Sequence, residues 1–363
     1  MKKKCRFVGI MFLCIIIVCT VLVMIYERVT NNNTKENENF TVVTSFYPMY
    51  IATLNIVDGA DGVTLENLSE PQTGCLHDFQ LTPEDMKLLS TADLFVINGG
   101  GIESFMSDVA KAYPDLTVVE ACKNVELINE PEEDVDTHDH DHEADSDEAY
   151  HDHDHEADSA EADHDHDHEA DSDETDHDHE ADSEESGHDH DHDHGDGNAH
   201  AWMSVARYRV MVSTIAESLS KADPSNAAIY DSNAKKYDAK LAELEEKENE
   251  IKQKTAGNDI IIFHEAYEYV ADDFGMNVCY LMDLDEERAV SAGEVSDVIN
   301  AVRNDGVSVI LAEELYGKDL GDTVSRETDV KMVYIDPLNR GNYDKNSYIE
   351  GMEKNFELIE AAF

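Results

Sequence analysis

Histidine is unevenly distributed along this chain of 363 residues, and its placement identifies residues that could do chemistry. Fifteen of the 18 histidines lie between residues 138 and 194, and the other three are His77, His200 and His264. His77 lies in a loop ahead of a predicted helix, His200 directly precedes a helix, and His264 ends an apolar strand. Asp336 also directly follows a strand. Ligands of open α/β sheets bind outside the carboxyl ends of the strands, so these four side chains are candidate ligands.

Three histidines and one carboxylate match the donor set of tetrahedral Zn²⁺, which binds nitrogen and oxygen at about 2.0–2.2 Å. Imidazole-rich sites favour zinc, whereas manganese prefers more oxygen ligands. The fourth ligand stays open, because Glu313, Glu314 or a water molecule could replace Asp336. A thiolate ligand from Cys75 is a weaker alternative to a structural or disulfide role. Three cysteines lie outside the N-terminal segment, namely Cys75, Cys122 and Cys279, so at most one intramolecular disulfide can form among them.

Strand and helix patterns alternate on both sides of an acidic segment, which predicts an α/β fold with mainly parallel sheets. The continuous apolar run at 94–98 is typical of a strand buried on both faces of a parallel sheet. Further strands are predicted at 41–45, 116–120, 260–263, 307–312 and 331–335. Helices are predicted at 47–57, from Ser291 to Arg303, where a capping box begins the helix, and at 346–363.

A long helix is predicted between the two halves. Asp223 is its expected N-cap, Pro224 occupies the first position, and Gly257 provides the C-terminal stop. About 32 residues would span about 48 Å, which is long for one small domain but suits a strut that joins two. A surface coiled coil with a partner is the alternative interpretation.

The segment 131–198 is a tandem repeat of alternating histidine and acid, whose units begin at His138, His151, His164 and His177. It holds 32 of the 82 acidic residues and no lysine or arginine. With so few apolar residues it cannot bury a core, and we expect disorder without metal. Neutral imidazoles bind metals and carboxylates attract cations, so the segment is interpreted as a zinc-capturing antenna rather than a merely solvated surface. The net charge of −56 argues against a nucleic-acid partner.

The N-terminal residues 1–29 combine a basic cluster with an apolar run at 7–26. Twenty apolar residues span about 30 Å, enough to cross a bilayer, and the basic cluster should stay cytoplasmic. We expect an uncleaved membrane anchor, with a cleaved or lipidated signal as the alternative. The polar stretch 30–39 is a linker, and the rest of the chain lies on the extracytoplasmic face of the membrane.

Four motifs around the candidate ligands resemble the zinc/manganese substrate-binding proteins of ABC importers, and in particular their zinc branch. The resemblance runs from about residue 40 to 363. The matching segments are His77 to Pro83, His200 with Trp202, His264 to Tyr267, and Asp336 to Leu338. It implies two α/β lobes bridged by one rigid helix, with metal bound in the cleft by His77, His200, His264 and Asp336. Manganese binders of this family tend to carry glutamate at the third position, so His264 makes Mn²⁺ the less favoured ion.

The resemblance and the residue pattern together divide the chain into successive regions. After the anchor and linker we expect an N-terminal α/β lobe (40–130), the His/Asp-rich segment (131–198), the end of the first lobe with the bridging helix (199–257), and a C-terminal α/β lobe (258–363). The family also implies a monomer that delivers Zn²⁺ to a membrane permease.

The leading functional prediction is a non-enzymatic zinc carrier. The first alternative is a zinc hydrolase with Glu265 as general base, although no His-Glu-x-x-His motif occurs. The second alternative is a surface metal store or adhesin in which the His/Asp-rich segment alone matters. The carrier and the store predict different consequences of deleting that segment, because a carrier keeps one tight site and a store loses nearly all its metal.

Overall fold

The computed structural model describes residues 20, 39–70, 76, 79–129, 197–284 and 288–363. Two four-stranded parallel sheets organise these residues, which confirms the predicted α/β fold class. The predicted anchor, linker and His/Asp-rich segment fall almost entirely outside the described residues. Among the described residues, no helix is both long and apolar enough to cross a membrane.

The first lobe is built on a sheet with strand order β2-β1-β3-β4. Its strands are β1 (Phe40–Thr44), β2 (Val63–Asn67), β3 (Leu94–Ile97) and β4 (Thr117–Glu120). Val42 of β1 pairs with Leu65 on one side and Leu94 on the other. All four residues of β3 are buried, as its apolar sequence predicted. Strand β2 was not predicted, because it lies at the sheet edge and is only partly buried.

The second lobe repeats this arrangement with strand order β6-β5-β7-β8. Its strands are β5 (Asp259–Ile262), β6 (Asn277–Leu281), β7 (Val309–Ala312) and β8 (Lys331–Tyr334). Along β5, Ile260 and Ile262 belong to one buried cluster, whereas Ile261 belongs to another on the opposite face. Alternate side chains of a strand point to opposite faces, so the sheet is covered on both sides. The edge strand β6 is largely exposed and was not predicted.

Nine described helices cover these sheets or connect them. They are α1 (Tyr47–Ile56), α2 (Pro83–Leu89), α3 (Met106–Ala112), α4 (Val205–Ala222), α5 (Ala227–Thr255), α6 (Tyr267–Phe274), α7 (Ala292–Asp305), α8 (Glu314–Glu327) and α9 (Ser347–Glu360). The predicted capping box at the start of α7 is present, because Ser291 and Glu294 each accept a hydrogen bond from the other's backbone N–H.

The long bridging helix is α5, and its predicted start at Asp223 is wrong. The helix has 29 residues, about 44 Å, and begins after Asn226. Asp223 instead ends α4, and its carboxylate accepts hydrogen bonds from the side chains of Ser225, Asn226 and Tyr230. It therefore stabilises the turn between the two helices, and the turn uses Pro224 as a connector.

Helix α5 joins the lobes because it packs against α1 and α4 and also against α6 and α9. Its contacts with α9 repeat every seven residues, which is the spacing of a coiled-coil seam. The paired side chains are Lys240 with Asn346, Lys247 with Glu353, and Lys254 with Glu360. The main buried cluster contains residues of both sheets and of α5, so the two lobes share a core.

Candidate metal site

His200 lies at the start of a 3₁₀ turn (Ala201–Met203) that leads into α4. Its side chain is fully buried. The backbone N–H of His200 donates to Asn198 Oδ1 at 3.0 Å, and its carbonyl accepts from the N–H of Met203 at 3.0 Å. The local backbone therefore fixes the direction in which the imidazole leaves the chain.

His264 lies just beyond the carboxyl end of β5, as the sequence predicted, and is also fully buried. The N–H of Phe263 donates to Leu311 O at 2.9 Å, so strand pairing continues almost to the histidine. The carbonyl of His264 then accepts from the N–H of Tyr267 at 3.1 Å, in the turn that begins α6. A central strand and a helix start together hold this imidazole.

The structure brings these two histidines together. Their ring centroids are 4.9 Å apart and their planes are 80° apart, in an edge-to-face arrangement. Nitrogen ligands lie about 2.0–2.1 Å from Zn²⁺, so two rings at this separation can bind the same ion. Because His200 leads into α4 and His264 follows a strand of the second lobe, the pair joins the two halves of the molecule.

Asp336 follows β8, as predicted, and its segment is held by residues of the histidine motifs. Trp202 Nε1 donates to Pro337 O at 2.8 Å, while its ring lies 4.9 Å from the His200 ring. Tyr267 donates its hydroxyl proton to Ile335 O at 2.9 Å. The carbonyls on both sides of Asp336 are thus connected to the histidine pair.

The carboxylate of Asp336 itself is exposed, and its Oδ1 accepts a hydrogen bond from the N–H of Leu338 at 2.8 Å. Leu338 has a φ of +54°, the one positive φ among the described non-glycine residues. Among the residues that the structure describes, no group of three His, Cys, Asp or Glu side chains is placed to hold a metal. Asp336 therefore stays a prediction as a ligand.

His77 and Cys75 lie outside the described residues. The structure does place the neighbouring Leu76, which is fully buried in the same cluster as Trp202. The N–H of Phe79 donates to Leu76 O at 3.1 Å. The chain on either side of His77–Asp78 is therefore attached to the core of the first lobe.

The two alternative carboxylates differ in their surroundings. Glu313 follows β7 and is buried, and its Oε1 forms an ion pair with Arg340 at 2.5 Å. Glu314 is exposed at the first position of α8. Arg340 therefore already balances the charge of the Glu313 carboxylate.

A buried carboxylate supports the loop that contacts the His200 segment. Glu103 accepts hydrogen bonds from the backbone N–H groups of Asn98 at 2.7 Å and Gly99 at 3.0 Å, and from the Ser45 hydroxyl at 2.8 Å. Asn98 Nδ2 in turn donates to Ala199 O at 2.9 Å. Burial raises the pKa of Glu103 to about 7.

With this geometry established, comparison with known proteins identifies the family. Residues 42–362 match the family model described as ZnuA, zinc-uptake complex component A, periplasmic. The chain belongs to the ZnuA family. It is 29% identical over 330 residues to the zinc-binding protein AdcA of Streptococcus pyogenes serotype M3, covering 88% of this chain and 55% of AdcA. It is 25% identical to the high-affinity zinc uptake system protein ZnuA of Bacillus subtilis, covering 91% of each chain.

A solved structure shares the ZnuA-like fold of this chain. It is that of the substrate-binding protein FpvC from Pseudomonas aeruginosa in complex with Mn²⁺, with a TM-score of 0.65 and 22% identity, covering 89% of this chain and 98% of FpvC. This chain spans about half the length of the AdcA proteins that it matches. The predicted family and fold are confirmed.

Two residues around His200 in this ZnuA family member were not predicted to support it. Glu265 Oε1 lies 3.1 Å from His200 Nδ1, and Asn198 Oδ1 lies 3.0 Å from the same nitrogen. Their positions next to His264 and at the end of the His/Asp-rich segment were visible in the sequence. That both side chains contact His200 could not be seen in the sequence, because this depends on how the two lobes meet.

Proposed function

We propose that this chain is the extracytoplasmic substrate-binding component of a zinc ABC importer. It captures Zn²⁺ as its transported substrate and delivers the ion to a membrane permease. The observation that carries the proposal is the buried pair of His200 and His264, whose rings lie 4.9 Å apart where the two lobes meet. The zinc-binding names of the AdcA and ZnuA relatives support the same substrate.

The proposed ligands are His77, His200, His264 and Asp336. His77 is supported by the burial of Leu76 in the core cluster that contains Trp202. Asp336 is supported by the hydrogen bonds that connect Pro337 and Ile335 to the histidine motifs.

Zinc is the proposed ion because three imidazoles and one carboxylate supply fewer oxygen donors than manganese prefers. The fold itself does not select the metal, since the similar FpvC structure contains Mn²⁺. The choice therefore depends on the donor atoms, and a direct competition between the two ions tests it.

A carrier is favoured over a hydrolase by the position of Glu265. A general base must reach a metal-bound water, but Glu265 Oε1 lies 3.1 Å from His200 Nδ1 and is engaged there. Ligands drawn from both lobes also suit capture and release of an ion. The energy for transport would come from a separate ATPase.

The proposed location is the outer face of the cell membrane, where the predicted anchor at 7–26 would tether the chain. The word periplasmic in the family description supports an extracytoplasmic site. We propose that the His/Asp-rich segment 131–198 acts there as an antenna, which raises the local zinc concentration through many weak sites. Zinc binding should weaken as its imidazoles gain protons near pH 6.5.

Zinc titration by calorimetry tests the proposal. It compares the unmodified chain, a variant that lacks 131–198, His264→Ala, and the matched control His151→Ala within the repeat. A carrier keeps one tight site after the deletion and in the control, and loses it in His264→Ala. If the deletion abolishes all tight binding while His264→Ala changes nothing, the chain is a metal store and the importer proposal is wrong.

A further inference from the structure

The Nδ1 nitrogen of His200 faces two oxygen acceptors at once. Asn198 Oδ1 lies 3.0 Å away and Glu265 Oε1 lies 3.1 Å away. A carboxylate only accepts hydrogen bonds, so His200 must supply the proton at Nδ1 in its contact with Glu265. The same proton can be shared with the Asn198 carbonyl oxygen.

The orientation of the Asn198 side-chain amide follows from its other neighbours. Its Nδ2 donates to the backbone carbonyl of Glu265 at 2.9 Å and to Glu268 Oε2 at 2.9 Å. The opposite end of the amide is therefore the oxygen, which also accepts from the backbone N–H of His200 at 3.0 Å. Both groups at Nδ1 are thus acceptors, and the neutral imidazole has its proton on Nδ1 and its lone pair on Nε2.

We propose that Asn198 and Glu265 are positioning residues that hold His200 in the Nδ1–H tautomer and make Nε2 the metal-binding atom. This inference rests on the proposed function of the histidine pair. Metal-ligating histidines commonly donate their second N–H to a carboxylate or carbonyl, which fixes the ring and strengthens its basicity. The assignment names the groups that perform this role for His200.

Glu265 also connects the two proposed histidine ligands, because it directly follows His264 in the chain. One residue of the second lobe therefore lies next to one proposed ligand and holds the ring of the other. The carboxylate is mostly shielded, with 22% of its side chain exposed, so its interaction with the imidazole is weakened little by solvent. If the second lobe moved away from His200, the contact between Glu265 and His200 would break and His264 would at the same time move away from His200.

The expected changes in zinc affinity depend on which hydrogen-bond acceptors each substitution leaves at His200 Nδ1. Glu265→Ala removes the charged acceptor and should weaken zinc binding about 10–100-fold, the usual cost of losing such a partner. Glu265→Gln keeps an oxygen that can accept the proton and should recover much of that loss. Because Asn198 and Glu265 accept the same proton, the Asn198→Ala and Glu265→Ala effects should not multiply independently.

The matched control is Asp272→Asn, on the helix that follows Glu265. Asp272 pairs with Arg207 at 2.9 Å and is half exposed, so it links the lobes without contacting the imidazole. Zinc affinity of the tight site is measured on the full chain by competition with a chelator, with His200→Ala as the reference for a lost ligand. Nitrogen NMR of ¹⁵N-histidine-labelled, metal-free protein reports the His200 tautomer, assigned by comparison with His200→Gln.

We expect an Nδ1–H signature for His200 in the unmodified chain, together with zinc binding that is weaker in Glu265→Ala and recovers in the glutamine variant. An Nε2–H tautomer in the unmodified chain, or an affinity in Glu265→Ala equal to that of Asp272→Asn, overturns it. If Glu265→Ala does not fold, the glutamine variant and the NMR signature of the unmodified chain still decide. Tight binding that survives in His200→Ala refutes the proposed function itself, which is a separate result.

Discussion

Trp202 connects the histidine pair to the Asp336 segment, and its replacement tests that connection. It is the single tryptophan of the chain and is fully buried. Its indole N–H donates to Pro337 O at 2.8 Å, and its ring lies against Phe46 with centroids 5.1 Å apart. Trp202→Phe keeps an aromatic ring but removes the hydrogen bond and part of the packing.

The expected loss of stability has two parts. Leaving the buried Pro337 carbonyl without its donor costs about 1–3 kcal/mol. Removing about three heavy atoms from a filled core costs about 2.4 kcal/mol, at about 0.8 kcal/mol for each CH₂-sized group. The free energy of unfolding should therefore fall by about 3–5 kcal/mol, a large part of the 5–15 kcal/mol typical of a domain.

Urea unfolding followed by far-ultraviolet circular dichroism measures this loss. The matched variant is Tyr348→Phe, which removes only the hydroxyl that donates to Trp202 O at 2.8 Å and should cost about 1–3 kcal/mol without the packing loss. Trp202→Phe should also weaken zinc binding, whereas Tyr348→Phe should affect it less. If Trp202→Phe binds zinc as tightly as Tyr348→Phe does, the Pro337 hydrogen bond does not hold the Asp336 segment for metal binding.

Three further predictions concern other parts of the molecule. Zinc should change the fluorescence of Trp202, whose ring lies 4.9 Å from a proposed ligand, and an unchanged spectrum at saturation would contradict the site. Burial raises the pKa of Glu103 to about 7, so the folded chain keeps a proton that the unfolded chain releases near its ordinary value. Stability should therefore fall as pH rises from about 4.3 to 7, by on the order of 3 kcal/mol, and Glu103→Gln should flatten this dependence in urea unfolding at several pH values. A Cβ at Gly317 would lie 2.9 Å from Ala312 Cβ, so Gly317→Ala should destabilise by about 1–3 kcal/mol. A Cβ at Gly293 would make only an ordinary contact with Ser291 Oγ at 3.7 Å, so Gly293→Ala should stabilise by about 0.5–1 kcal/mol in thermal unfolding.

The central strands could be predicted from the sequence because both of their faces are buried. The runs that became β3 and β7 are continuous and apolar, which is the pattern that two-sided burial requires. The edge strands β2 and β6 lack it, since solvent covers part of their surface. The start of the bridging helix was misplaced because Asp223 and Pro224 have the residue types of a helix start, but their hydrogen bonds serve the preceding turn.

The candidate site was predictable to the extent that its residues have distinctive types. His200 and His264 stood out because few histidines lie outside the repeat, and the structure places their rings 4.9 Å apart. Asn198 and Glu265 could not be assigned from sequence, because an asparagine and a glutamate are common and their role depends on contacts between distant segments. His77 and Asp336 stay predictions as ligands.

The shared core limits how this molecule could release a bound ion. Val42 of the first sheet and Leu311 of the second belong to one buried cluster, and α5 packs against helices of both lobes. Each roughly 100 Å² of such apolar surface that became exposed would cost about 2.5 kcal/mol at about 25 cal/mol per Å², against about 5–15 kcal/mol for the whole stability of a domain. A wide separation of the lobes is therefore disfavoured. Release is better served by small movements of exposed or boundary groups. Two such groups are the Asp336 carboxylate, which is solvent-exposed, and Glu265, whose contact connects the second lobe to the His200 ring.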